Sequence, residues 1–177
     1  PEYADYPGTY DYKYPIAGAQ NSTVSVHSYD LKSRATRQLA VPLPEEGYIP
    51  RIIATSDADK LAVVTLNRHQ SQMDLYMVNP RSGVAKLALR ETNERYLRES
   101  ADLQFYPGHF AMLSEKSGYQ HLYWYTLNGQ LVSQITKGDY EVSNFYGYDA
   151  KNGRFYFAAH KDSPLQTAIY SANVKGQ

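Results

Sequence analysis

Apolar residues along this chain fall in short runs separated by turn formers. "KLAVVTLN" (60–67), "HFAMLSE" (109–115), "HLYWYTLNG" (121–129) and "RFYFAAH" (154–160) are bounded by stretches rich in Gly, Pro, Asn, Asp and Ser. Runs of this length between such boundaries predict β-strands. Turns are expected at "SDADK" (56–60), "NPRSG" (79–83), "NG" (128–129) and "KNG" (151–153). Helical periodicity is scarce. The best candidate, "ALRETNERYLRES" (88–100), follows a strand-like run and has no continuous apolar stripe.

Aligning the runs exposes a period. "DLYMVNPRSG" (74–83), "HLYWYTLNG" (121–129) and "AIYSANVKG" (168–176) each carry an apolar residue followed by Tyr, a strand and a glycine turn, and Tyr76, Tyr123 and Tyr170 recur every 47 residues. A fainter copy, "VHSYDLKSR" (26–34), lies further upstream. Each strong copy is preceded by a strand, and the first two are followed by "VAKLALR" (84–90) and "QLVSQIT" (130–136). Four strands in about 47 residues is the size of a propeller blade, which cannot bury both of its faces without a neighbour on each side. The predicted fold is therefore all-β, a β-propeller. The strand count does not close a ring, so the chain reads as about three to four blades of a larger propeller. The expected organisation is an arm or connector at 1–21, the end of a blade at 22–47, blades at 48–100 and 101–139, and an incomplete blade at 140–177.

Composition narrows the function classes. Of 177 residues, 18 are Lys or Arg and 18 are Asp or Glu, so no net charge draws the chain to nucleic acid or acidic lipid. No apolar run is long enough to span a membrane, and the first residues do not read as a signal peptide. Cysteine is absent, which removes disulfides and thiol chemistry. Tyrosine is over-represented at 18 residues, as expected of strands with hydroxyls near their ends.

Catalytic motifs are missing from the text of the sequence. There is no G-x-S-x-G elbow, no Walker loop and no G-x-G-x-x-G, so no catalytic residue is assigned. His27, His69, His109, His121 and His160 are dispersed without metal-ligand spacing, so neither a metal nor a cofactor is expected. "SDADK" (56–60) has the acids of a calcium loop but lacks the glycine and distal glutamate, which favours a β-turn. Glu91, Glu94 and Glu99 alternate with Arg90, Arg95 and Arg98, as in a solvated, salt-bridged connector, with a substrate-facing loop as the other reading. "NST" (21–23) matches the N-glycosylation pattern.

"YPIAGAQN" (14–21) resembles the Y-P-K-A-G-A-x-N segment of the propeller of dipeptidyl peptidase IV-like serine peptidases, in the prolyl oligopeptidase family, departing at Ile16. "LNRHQSQMDLY" (66–76), "SGYQHLYWY" (117–125) and "ITKGDYEV" (135–142) extend the resemblance in the same order. It implies an eight-bladed propeller joined to an α/β-hydrolase domain, a peptide substrate whose X-Pro or X-Ala dipeptide is released from the amino terminus, a homodimer, and a periplasmic, extracellular or cell-surface location. In the family, paired glutamates that hold the substrate amine precede the segment resembling Tyr14 to Asn21, and the Ser-Asp-His triad follows the propeller. Both are thus expected outside residues 1–177, and no substrate-binding residue is carried over. The family's arm in this region helps to hold two subunits together, which makes Tyr6, Tyr10, Tyr12 and Tyr14 the candidate dimer contacts. The alternative is a non-enzymatic propeller that binds a protein or glycan through exposed tyrosines.

Overall fold

The computed structural model describes residues 8–14, 16–98 and 103–177. They form thirteen strands in four antiparallel sheets, each a simple meander. The first sheet pairs β1 (His27–Tyr29) with β2 (Thr36–Gln38). The second runs β3 (Tyr48–Ala54), β4 (Leu61–Leu66), β5 (Gln72–Val78) and β6 (Ala85–Thr92). The third runs β7 (Gln104–Tyr106), β8 (His109–Ser114), β9 (His121–Thr126) and β10 (Leu131–Gln134). The fourth holds β11 (Val142–Asp149), β12 (Arg154–Ser163) and β13 (Gln166–Ala172).

The central strands explain the unbroken apolar runs. Because successive side chains point to opposite faces, a strand covered on both faces must be apolar at every position. In β8, Phe110 and Met112 pack toward the second sheet, whereas Ala111 and Leu113 pack toward the fourth. Tyr123 and Tyr125 in β9 share the first seam, and Leu122 and Trp124 the second. In β4, Val63 turns the other way, joining Val26, Leu39, Tyr76 and Val78 against the first sheet. Three seams thus hold the four sheets. Their burial supplies the stability that a lone four-stranded sheet lacks.

The 47-residue period has a physical cause in the hairpin glycines. A Cβ on Gly129 would stand 1.6 Å from the Ala88 carbonyl oxygen on β6 of the preceding sheet. Gly129 also sits at a φ of +85°, a region that favours glycine. The equivalent turn residues, Gly83 and Gly176, abut the carbonyls of Gln38 and Ile135 in the same manner. Each repeat therefore rests its hairpin tip on the outermost strand region of the repeat before it.

No helix forms at 88–98. β6 extends through Thr92, and the polar stretch after it continues as a connector. Strand pairing with β5, from Gln72↔Thr92 to Val78↔Ala85, overrides the weak helical tendency of "ALRET".

Candidate functional site

One end of the second and third sheets gathers the features singled out in the sequence. The β4–β5 turn (67–71), the β8–β9 turn (115–120), the connector after β6 and the root of the N-terminal arm meet there. Asn67 builds the first turn, its side-chain oxygen accepting hydrogen bonds from the backbone N–H groups of Ser71 and Gln72 at 2.8 and 3.0 Å. The connector docks on the same turn: Asn93 N–H donates to the Ser71 carbonyl at 2.9 Å, and Leu97 N–H to the Gln70 carbonyl at 2.8 Å. Leu97 is buried in the seam beside Met73 and Leu103, while Arg95 and Tyr96 stay exposed. Arg98 pairs with Glu115 at 3.5 Å. Glu99 lies outside the described residues.

Arg90 and Glu91 of the mixed-charge run belong to β6: Arg90 is half-exposed and salt-bridged, as a solvated, salt-bridged run implies, whereas Glu91 is drawn into the seam. Arg90 grips Asp74 with two 2.7 Å hydrogen bonds, and Asp74, almost wholly buried, also accepts from Tyr76 at 3.2 Å and Gln72 at 3.3 Å. Burial pushes the Asp74 carboxyl upward, but the Arg90 hydrogen bonds and charge, helped by Tyr76 and Gln72, outweigh it and leave the carboxyl below its usual value. Four donors fill the capacity of a carboxylate, so Asp74 is a structural anchor.

Glu91 points the other way, sharing a face with Met73 and Leu66 toward the third sheet. Its carboxylate accepts a hydrogen bond from the Ser114 hydroxyl across the seam. Burial raises the Glu91 pKa, partly offset by Ser114 and the charge of Lys116. The Lys116 ammonium lies 4.0 Å from the centre of the Tyr123 ring and 5.0 Å from that of Tyr125, and donates to the Tyr125 hydroxyl. Burial lowers the Lys116 pKa, and Glu91 pulls it back. This cluster ties two sheets together at their shared end.

The histidines have separate structural roles. His121 is buried, with Nδ1 3.0 Å from Thr136 Oγ1 and Nε2 3.0 Å from the Gly138 carbonyl, and burial depresses its pKa. His109 stacks on Trp124 with ring centres 5.0 Å apart. His27 contacts Ser25 Oγ, and His69 lies exposed in the β4–β5 turn. Among the described residues no group of three or more His, Asp or Glu side chains could hold a metal ion.

The arm presents its tyrosines to solvent. Tyr10, Tyr12 and Tyr14 are 84%, 71% and 80% exposed, and the first two stack with ring centres 5.9 Å apart. Tyr6 lies outside the described residues. The arm's return limb turns at 16–19, where Ala19 N–H donates to the Ile16 carbonyl at 2.9 Å and Gly18 adopts a φ of +84°. It is then fastened at Asn21, whose backbone N–H donates to Glu46 Oε1 at 3.2 Å and whose side-chain amide donates to the Glu46 carbonyl at 3.0 Å. Arg68 reaches the Ala19 carbonyl at 3.3 Å and Glu46 Oε2 at 3.9 Å. The sequence marked Asn21 as a glycosylation acceptor and as the end of the "YPIAGAQN" segment, and the structure shows its amide engaged with the fold. Glu46 was missed, because nothing local marks a glutamate whose partner is 25 residues upstream.

Comparison with known proteins agrees with this architecture. The family described as "Dipeptidyl peptidase IV (DPP IV) N-terminal region" matches residues 1–177. Dipeptidyl-aminopeptidase B of Aspergillus niger is 25% identical over 99% of the chain, and dipeptidyl peptidase 4 of Arthroderma otae is 26% identical over 95%. The crystal structure of Porphyromonas gingivalis dipeptidyl peptidase 4 superposes with a TM-score of 0.89 at 42% identity over 99% of the chain. The chain spans 21%, 23% and 25% of these three proteins respectively, so it corresponds to a part of each. With four antiparallel sheets stacked through three seams and a family match from end to end, the chain belongs to the dipeptidyl peptidase IV N-terminal region family, as a portion of its β-propeller.

Proposed function

We propose that this chain is the non-catalytic propeller portion of a dipeptidyl peptidase IV-like serine exopeptidase that releases N-terminal X-Pro or X-Ala dipeptides. Its tasks there are scaffolding, substrate gating and subunit contact. Residues 1–21 act as an arm or connector, 22–47 end one blade, 48–100 and 101–139 are blades, and 140–177 are an incomplete blade. The catalytic α/β-hydrolase domain is its partner within the full-length protein. The observation that carries this reading is the family match over residues 1–177 together with a structural relative 42% identical in sequence.

The chemistry supports a holding role. Asp74 is saturated by its neighbours, Glu91 and Lys116 are committed to an inter-sheet cluster, and His121 is hydrogen-bonded on both ring nitrogens. The arm's Tyr10, Tyr12 and Tyr14 are instead the most exposed of the described tyrosines, which suits a contact between subunits: tyrosine offers a large area with little side-chain entropy to lose.

The test is dipeptide release by the full-length protein from peptides with proline or alanine in second position. Cleavage is expected only while the amino terminus is free, because an acetylated terminus leaves the amine-binding carboxylates unpaired. Equal cleavage of the acetylated peptide, or none of either, would overturn the exopeptidase reading. In the latter case, retention of a stable protein or glycan partner would favour a binding propeller.

A further inference from the structure

We infer that Glu46 is the positioning residue of the arm, holding its root against the propeller from an otherwise unfavourable backbone conformation; the consequence for subunit contact rests on the reading proposed above. Two turns near the arm's root have the same form and different residues at the decisive position. In the turn 16–19 the residue with positive φ is Gly18, which accepts that conformation freely. In the turn 44–47, closed by Gly47 N–H donating to the Pro44 carbonyl at 2.9 Å, the corresponding residue is Glu46, at a φ of +51°. A turn with positive φ at its third residue favours glycine or asparagine there, and a glutamate strains it.

Local geometry shows what the glutamate does in return. The left-handed conformation aims both the Glu46 carbonyl and its carboxylate at one residue, Asn21, and each accepts a hydrogen bond from it. The second carboxylate oxygen faces Arg68, which itself holds the Ala19 carbonyl. Glycine at position 46 would relieve the backbone and would lose the carboxylate half of this clasp. Gly47 cannot exchange places with Glu46, since a Cβ there would lie 2.8 Å from the Pro44 carbonyl oxygen and 3.0 Å from that of Leu66.

The experiment compares Glu46→Gly, Glu46→Gln and Asn21→Ala in the full-length protein. The readouts are thermal stability, the rate of tryptic cleavage after Lys13 in the arm, and the dimer dissociation constant by sedimentation. Glu46→Gly is expected to melt at or above the wild-type temperature while cleavage after Lys13 accelerates by about tenfold, the scale set by one lost charge-assisted hydrogen bond. Glu46→Gln keeps an acceptor for the Asn21 N–H and should restore most of the protection, whereas Asn21→Ala loses only the neutral bond to the Glu46 carbonyl and should accelerate cleavage less than Glu46→Gly does. A Glu46→Gly protein with wild-type cleavage at Lys13 would overturn the assignment. If cleavage rises while the dimer holds, the clasp stands and the arm's role in subunit contact falls.

Discussion

The same residue type meets two fates in this molecule. Tyr123 and Tyr125 on β9 are 1% and 2% exposed, with their hydroxyls bonded to or approached by Ser117 and Lys116, while Tyr10, Tyr12 and Tyr14 on the arm stand almost fully in solvent. Their neighbours decide the difference. The β9 tyrosines alternate with Leu122 and Trp124, so both faces of the strand find a partner sheet. The arm tyrosines alternate with Asp11 and Lys13, which cannot be buried without partners. Tyrosine in the seams is scaffold; tyrosine on the arm is surface available for another molecule.

Substitutions at the seams should break this contrast most severely. Tyr125→Ala removes a ring stacked on Phe110 at 5.0 Å and should cost about 3–5 kcal/mol, read by chemical denaturation. Gly129→Ala forces a Cβ into the Ala88 carbonyl from a left-handed backbone, and about 2–3 kcal/mol is expected from the combined clash and strain. A Gly129→Ala protein as stable as wild type would show that the hairpin tips do not set the spacing between sheets. Asp74→Ala leaves Tyr76 and Gln72 without their acceptor while Arg90 remains half in solvent, so about 1–2 kcal/mol is expected.

The two carboxylates that flank the second sheet should respond to acid in opposite directions. Asp74 has a folded-state pKa below its unfolded value, so its contribution is complete above the unfolded pKa and is lost as pH falls through the folded one. Glu91 has a raised folded-state pKa. Its contribution is complete below the unfolded pKa and is lost as pH rises through the folded one. Denaturation measured on acidification from about pH 7 should therefore show Glu91→Gln losing the gain that Glu91 provides before its unfolded pKa is reached, and only below about pH 4 should Asp74→Asn lose less stability to acid than wild type does. Parallel pH profiles for wild type and Glu91→Gln would mean that Glu91 is solvated.

The strands of the repeat were legible because covered strands leave no choice of residue: "AVVTL", "FAML" and "LYWY" are apolar or aromatic at nearly every position. The repeating glycine turns were legible for a related reason, since a carbonyl presses on Gly83, Gly129 and Gly176 alike. The charged stretch at 90–98 was not. Its burial depends on single residues, Glu91 and Leu97, whose partners Ser114 and Gln70 lie 23 residues downstream or in another turn, and no periodic pattern marks such anchors. The root of the arm was half legible. The Asn21 segment stood out as a motif, but the strained Glu46 that receives it carries no sequence mark.

Smallest in stability, and most telling for function, is the change on the arm itself. Converting Tyr10, Tyr12 and Tyr14 to alanine should shift stability by no more than about 0.5 kcal/mol each, since little of each ring is buried. Sedimentation equilibrium of the full-length protein carrying this triple substitution tests the account most directly. A dimer weakened by at least about tenfold, with the melting temperature held, is the predicted result. An unchanged dimer, or a protein that loses its fold along with the tyrosines, would contradict it.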